Sequence, residues 1–162
     1  MSVRVWLNES DQFVPGSELF RSDRSFTVWA YTVSHSQLLL RTRTTERDGV
    51  RSSRIDVVFK PVRAMKVRTE YSDGLVIRCA DQEEAEHIHA ESGNVEPGAG
   101  AHCLILETGN DRDYVVAHAV GWAEDMASER DPSALARLRP WQRPSPHPGL
   151  TGRSDPFVRS GL

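Results

Sequence analysis

Long apolar runs are missing from this 162-residue sequence. No stretch approaches the ~20 apolar residues that a membrane-spanning helix needs. The first residues also lack the basic region and apolar run of a secretory signal. We therefore expect a cytoplasmic protein with no membrane partner. Apolar residues make up 38% of the chain, which is enough for one lean core.

Cysteine and lysine are both scarce. Cys79 and Cys103 are the two cysteines. Both fall in segments that we predict to be strands, and in a reducing cytosol we expect buried thiols rather than a disulfide. Of the twenty basic residues, only Lys60 and Lys66 are lysine. We attribute the arginine excess to the base composition of the coding sequence rather than to anion binding.

The chain also has no excess of positive charge, because its formal net charge is -3. Residues 126–162 contain six Arg and three acids, a net charge of +3, which leaves -6 for residues 1–125. Nucleic-acid binding usually needs a basic patch on the folded body. We therefore expect no nucleic-acid partner.

Sequence signatures of catalysis and of nucleotide binding are also missing. The chain has no GxSxG, no P-loop and no GxGxxG. Residues 97–100 (Pro-Gly-Ala-Gly) are glycine-rich, but they lack the lysine and the strand-to-helix setting of a phosphate-binding loop. They predict an ordinary loop.

Strand patterns are what the chain does contain, and the strongest spans Ser25–Arg43. Phe26–Val33 is almost entirely β-branched and aromatic, and Leu38–Leu40 continues a second strand after a turn at residues 34–36. Because the first strand is apolar on both faces, we predict that it is central and buried. Strict alternation would place Trp29, Tyr31 and Val33 on one face and Phe26, Val28 and Ala30 on the other.

Further strands are predicted at residues 3–7, 19–20, 54–60, 62–68, 75–79, 102–108 and 114–122. Asp48-Gly49 predicts a loop or hairpin tip, and residues 109–111 predict a tight turn that makes a second hairpin. Pro61 has no N–H to donate to a ladder, so it predicts a bulge or a sheet edge.

Two short helices are predicted in the second half of the chain. Asp81 with Glu84 has the spacing of a capping box, which predicts a helix over Gln82–Glu91. Asp131-Pro132 predicts a second helix through about Arg139. Residues 140–162 hold five Pro and three Gly, which is typical of a flexible tail.

These elements predict a mainly β fold, either an antiparallel β-sandwich or a closed β-barrel, with one or two short helices. We expect residues 1–125 to form a single antiparallel β domain. Residues 126–162 would then be a short helix and a Pro/Arg-rich flexible tail.

Histidines are the one group of side chains with metal-ligand chemistry: His87, His89, His102 and His118. The HxH pair at 87 and 89 would share a face on a strand, but on the predicted helix these residues lie about 200° apart. His102 and His118 could still face each other across the second hairpin. The acidic run Asp81–Glu91 offers either a docking face for a basic partner or a cation, or the solvated surface of a helix.

We expect a cytosolic, non-enzymatic binding domain that recognises a protein or a small ligand through one sheet face, without a cofactor. The alternative is a small metal-dependent β-barrel enzyme that uses the histidine cluster and a divalent metal. A homo-oligomer with a strand edge near Pro61 or Trp122 is a third possibility.

Overall fold

The computed structural model describes residues 3–93 and 100–136. In these ranges no helix has the length and apolar character needed to cross a membrane. The elements in chain order are β1 (Val3–Leu7), β2 (Glu18–Ser22), β3 (Phe26–Thr32), β4 (Gln37–Thr42), β5 (Glu46–Arg47), β6 (Val50–Arg51), β7 (Arg54–Lys66), β8 (Glu70–Tyr71), β9 (Leu75–Cys79), α1 (Gln82–Glu91), β10 (His102–Thr108) and β11 (Asp111–Asp125).

The fold is mainly β, and nine of the described strands form one antiparallel sheet. Its order is β2-β9-β10-β11-β7-β4-β3-β8, and β1 pairs with the second half of β11. β5 and β6 form a separate ribbon, whose turn residues Asp48 and Gly49 have φ of 53° and 75° as a type I′ turn requires. The hairpin tip predicted there is confirmed.

The sheet curls until β2, at one end, contacts β3, which lies next to the other end, but it does not close. Phe20 on β2 packs against the edge of Phe26 on β3, with ring centroids 5.9 Å apart. β8 has only two residues and pairs only with β3, so it does not bridge to β2. The predicted closed barrel is therefore wrong. A sandwich is not confirmed, because these strands make one large sheet.

β7 and β11 form the centre of the sheet and are paired from Arg54 to Lys66. β7 is one strand of 13 residues, although the sequence pattern breaks it at Pro61. A register shift opposite Val62, and the end of the β4 pairing at Phe59, confirm the bulge and the edge predicted near Pro61. The edge predicted near Trp122 is wrong, because β1 and β7 pair with β11 on both sides there.

β3 lies next to the end of the sheet, so its predicted central position is wrong. Phe26 is fully buried, but Trp29 and Tyr31 are 40% and 43% exposed. The buried neighbour is β4, whose leucines lie between β3 and β7. Propensity for β structure does not distinguish these two positions, since both suit hydrophobic, β-forming residues.

A β-bulge at Trp29 also changes which face each β3 side chain occupies. The register shifts between Val28 and Ala30, so that Tyr31 pairs with the core residue Leu38. Paired residues share a face, and Tyr31 therefore lies on the core-facing side. The strict alternation predicted for this strand is wrong beyond Val28, because the bulge inserts one residue.

The buried side chains form three clusters, one inside the curl and two on the outer face. The inner core lies inside the curl and includes Phe26, Leu40, Phe59, Tyr71, Leu104 and Val115. A helix-side core joins Ile88 of α1 to Ile105 and Val116. A third cluster joins Leu135 to Leu39, Val58 and Ala123.

The helix α1 spans the predicted residues, and its start is the predicted capping box. The Asp81 carboxylate accepts a hydrogen bond from the Glu84 N–H at 2.8 Å. The Glu84 carboxylate in turn accepts from the Asp81 N–H at 3.2 Å. These two bonds satisfy N–H groups that the first helical turn leaves open.

Residues 126–136, which we call the strap, lie on the outer face of the sheet. Leu135 is completely buried. The helix predicted from Pro132 is not formed within the strap, which ends in a turn at 134–136. The carbonyls of Asp131 and Pro132 instead accept hydrogen bonds from Arg54. The division after Asp125 stays a prediction, and residues 137–162 lie outside the described chain.

Candidate functional site

The four candidate histidines lie in four different environments. His87 is on the outer surface of α1, where its side chain is 79% exposed and 3.9 Å from the Glu91 carboxylate. His118 accepts a hydrogen bond at Nε2 from the Arg63 guanidinium at 3.1 Å. Burial, with a smaller effect from Arg63, lowers the pKa of His118.

His102 points into the curl of the sheet and stacks on Phe13. The ring centroids are 3.8 Å apart and the planes differ by 9°. Burial lowers the pKa of His102, and the nearby His118 lowers it further. His102 is therefore a packed, neutral aromatic ring rather than an exposed ligand.

His89 faces the sheet from the underside of α1 and meets Cys103. The distance from Cys103 Sγ to His89 Nε2 is 3.7 Å, and the other ring nitrogen of His89 is buried without a hydrogen-bond partner. The contact with His89 depends on where α1 docks, which no local pattern specifies.

These contacts separate the histidines, because His102 lies inside the curl while His89 and Cys103 lie under the helix. Neighbouring strand residues point to opposite faces, so His102 and Cys103 cannot share one ion. In residues 3–93 and 100–136, no three His, Cys, Asp or Glu side chains are arranged to hold a metal.

Two acids of α1, Glu84 and Glu91, form ion pairs with basic residues of the sheet. Arg78 donates to both Glu84 carboxylate oxygens, at 2.7 and 2.8 Å, and to Glu107 at 2.9 Å. Lys66 Nζ lies 2.8 Å from Glu91. The Arg78 guanidinium accordingly holds the pKa of Glu84 below its usual value. A cleft of about 510 Å³ runs between α1 and the sheet, and its lining combines the paired residues Lys66, Glu84 and Glu91 with the acids Asp81 and Glu83.

A buried polar cluster at one end of β8 was not anticipated from the sequence. The Tyr71 hydroxyl donates to Asp113 at 2.9 Å, and Arg68 donates to the same carboxylate. Burial is the largest cause of a raised pKa at Tyr71, and its hydrogen bond to Asp113 adds to it. This cluster ties β8 to β11 and leaves no free group for a ligand.

The other large cleft, which we call the open-edge cleft, lies where the curled sheet fails to close. It measures about 730 Å³. Its wall includes the partly buried rings of Phe20 and Trp122, whose centroids are 5.3 Å apart. Leu19 and Ile55 extend this apolar wall. The register of β2 against β9 shifts between Glu18 and Phe20, and the consecutive residues Leu19 and Phe20 both pack against the inner core.

Charged groups on the rim of the open-edge cleft are connected to one another. Arg24 donates to the Ser53 hydroxyl at 3.2 Å and to the Ser53 carbonyl at 2.8 Å. The Ser53 hydroxyl donates to Glu124 at 2.5 Å. Asp23 and Arg21 complete the charged rim, so that two acids balance two arginines.

The sequence carried a weak signal for this site. Leu19 and Phe20 were recognised as a brief strand and Trp122 as the end of a hairpin strand. Their meeting depends on the curl of the whole sheet, which local patterns do not report. Comparisons with family models, curated proteins and solved structures give no match to this chain.

Proposed function

We propose that this chain is a non-enzymatic cytosolic binding domain, and that its ligand is a small, neutral and mainly apolar molecule held in the open-edge cleft. The observation that carries the proposal is the partly buried aromatic wall of Phe20 and Trp122 lining a cavity of about 730 Å³. Small-molecule sites usually have volumes of roughly 300–1,000 Å³ and predominantly apolar walls.

The rim supports a ligand without net charge. An anion near Arg24 would also approach Glu124, because Ser53 bridges the two side chains. A cation near Glu124 would likewise approach the positive charge of Arg24. The rim therefore offers hydrogen-bonding groups to a polar substituent, while the apolar wall supplies the contact area.

Two observations support the rest of the proposal. Cys79 and Cys103 are free thiols, which suits a reducing compartment such as the cytosol. The described cavities hold no nucleophile beside a free general base, which supports binding rather than catalysis.

A neutral fluorescent probe, N-phenyl-1-naphthylamine, tests the proposal. We expect saturable binding of one probe per chain, with energy transfer from tryptophan. Val3 lines the cleft and is 51% exposed, so Val3→Trp should fill the cavity without disturbing the core and should weaken binding by about tenfold or more.

The matched control is Val50→Trp, which adds the same side chain at another exposed valine of a β ribbon. We expect this variant to bind the probe like the unmodified chain. Absence of saturable binding, or an equal loss in both variants, would overturn the proposal.

A further inference from the structure

One edge of β3 lacks a neighbouring strand in the described part of the chain. On this side β8 pairs only with Phe26 and Thr27, and the Val28 N–H donates to the Thr69 carbonyl at 2.9 Å. The segment Trp29–Thr32, which we call the β3 edge, continues to pair with β4 on its other side. An unpaired edge presents backbone donors and acceptors to any extended chain.

Exposed apolar side chains lie on both faces of the β3 edge and just after it. Trp29, Tyr31 and Val33 are 40%, 43% and 81% exposed. Trp29 is also held in place, because the Arg41 guanidinium lies 5.2 Å from its ring centroid and is itself buried. A surface that is already ordered loses little conformational entropy when it is covered.

The β3 edge is uncharged in a strongly charged protein. Charged residues make up 27% of the chain, but residues 25–40 contain no Asp, Glu, Lys or Arg. Proteins commonly protect free edges with lysine, proline, inward-pointing charges or a β-bulge. Of these protective features, β3 has only the bulge at Trp29.

The other free edges among the described strands carry charge. β1 has Arg4, β2 has Glu18 and Arg21, and β7 beyond Pro61 has Arg63 and Lys66. Two copies of the β7 edge would bring arginine and lysine together, which is unfavourable. Among the edges compared, only the β3 edge has no charged side chain, so that pairing with its own copy brings no like charges together.

We propose that the β3 edge binds the same edge of a second copy of this chain, as an antiparallel pair about a two-fold axis. The two edges are identical, so each supplies the backbone partners that the other lacks, as an isologous contact requires. Residues 1–125 carry a net charge of -6, so most other contacts between two copies are electrostatically disfavoured.

The expected dimer is weak and depends on concentration. The β3 edge offers four residues per chain, from Trp29 to Thr32. A contact of this length covers less than the roughly 1,000 Å² that a stable interface needs. The dimer is independent of the proposed ligand site, since no β3 residue lines the open-edge cleft.

Sedimentation equilibrium on the full chain tests the dimer. We expect the weight-average mass to rise from 18.2 kDa towards twice that value as the concentration approaches about 1 mM. Raising the salt from about 50 to about 500 mM should not weaken association, because it screens repulsion between acidic bodies and the contact itself is uncharged.

Matched substitutions locate the interface. Tyr31→Lys brings one positive charge from each copy close together at the contact, and we expect it to weaken association by about tenfold or more. Met65→Lys makes a comparable change at a residue of similar exposure on the charged β7 edge, and it should leave association unchanged. Val33→Lys with Val50→Lys is a second pair, in case Tyr31→Lys reduces folding.

Three results would overturn the proposal. The first is a mass of 18.2 kDa at every concentration. The second is an equal effect of Tyr31→Lys and Met65→Lys in chains that melt alike. The third is a monomer whose β3 edge is protected only by an unrelated extended peptide, which would assign the edge to a different partner.

Discussion

Arg41 and Asp56 form a two-point ion pair in the interior, with nitrogen–oxygen distances of 2.6 and 2.9 Å and both side chains 2% exposed. A second buried guanidinium, that of Arg54, lies 3.5 Å from the same carboxylate. Both arginines also donate to backbone carbonyls of the strap, Arg41 to Glu129 and Arg54 to Ser128. Both arginines therefore share the Asp56 carboxylate, and Asp125, 3.3 Å from Arg54, supplies a second counter-charge beside the strap.

Removal of the Asp56 charge should be strongly destabilising. Asp56→Asn leaves the buried Arg41 guanidinium without its counter-charge and leaves Arg54 with Asp125 alone, and loss of one partner in a buried pair costs about 3–5 kcal/mol. Urea unfolding followed by circular dichroism measures the change. Glu18→Gln is the control, because it removes a carboxylate from the exposed pair with Arg21 and should leave the midpoint unchanged. Similar midpoints for the two variants would show that the buried pair is not needed.

Truncation of Leu135 should show that the strap belongs to the folded unit. Leu135→Ala removes a completely buried side chain from the contact with Leu39 and Val58, and we expect a loss of about 2–5 kcal/mol in the free energy of unfolding. Met126→Ala, at a side chain that is 56% exposed, should change it by less than about 0.5 kcal/mol. A loss in Leu135→Ala as small as that in Met126→Ala would place the strap outside the cooperative unit.

Stability should fall as the pH drops below neutrality, and His102 should account for part of the fall. Burial lowers its pKa in the folded state, so the unfolded chain takes up a proton more readily. The stabilisation is fully present above the unfolded pKa near 6.5 and is lost as the pH falls through the lower folded pKa. Unfolding measured at about pH 7.5 and about pH 5.5 reports the difference.

His102→Phe keeps an aromatic ring against Phe13 but does not titrate, and we expect it to reduce this pH dependence. His118, whose pKa is lowered in the same direction, supplies part of the remaining slope. His87→Phe is the control, since His87 is 79% exposed. An unchanged slope in His102→Phe would contradict the assignment.

Both thiols should react slowly in the folded protein. Burial raises the pKa of Cys79 and of Cys103, which reduces the thiolate fraction at neutral pH. We expect slow labelling by a disulfide reagent such as DTNB and full labelling after unfolding. A fast reaction of Cys103 in the Cys79→Ser variant would contradict this expectation. If adding His89→Ala abolished that reaction, Cys103 and His89 would be identified as an activated pair.

Metal analysis should find no stoichiometric zinc, iron or manganese in protein purified without a histidine tag. The physical reason is geometric, because His102 and His89 lie on opposite faces of the sheet. One metal per chain, lost in His102→Ala and His118→Ala but kept in His35→Ala, would restore the metal-dependent alternative.

Local patterns predicted the elements well wherever the responsible forces act over a few residues. The start of helix α1, with Asp81 as its N-cap, was predictable because the capping hydrogen bonds join residues three apart. The hairpin β10–β11 follows from two strands and a turn at 109–111. Each of these features can be recognised without knowing what packs against it.

The candidate sites were less predictable, because each combines distant strands. Phe20 and Trp122 are 102 positions apart, and they meet only through the curl of the sheet. Arg41 and Arg54 appear as ordinary charges within strands, yet both are buried by the strap. The faces of β3 were wrong beyond Val28, because a bulge depends on pairing with β4.

The order of residues was sufficient for a mainly β chain with one capped helix, since periodicity and capping are local properties. Tertiary pairing decided which strand became an edge, where the sheet stopped short of closing, and which charges became buried. Those outcomes depend on the balance of contacts among segments distant in sequence, and no single segment carries that balance.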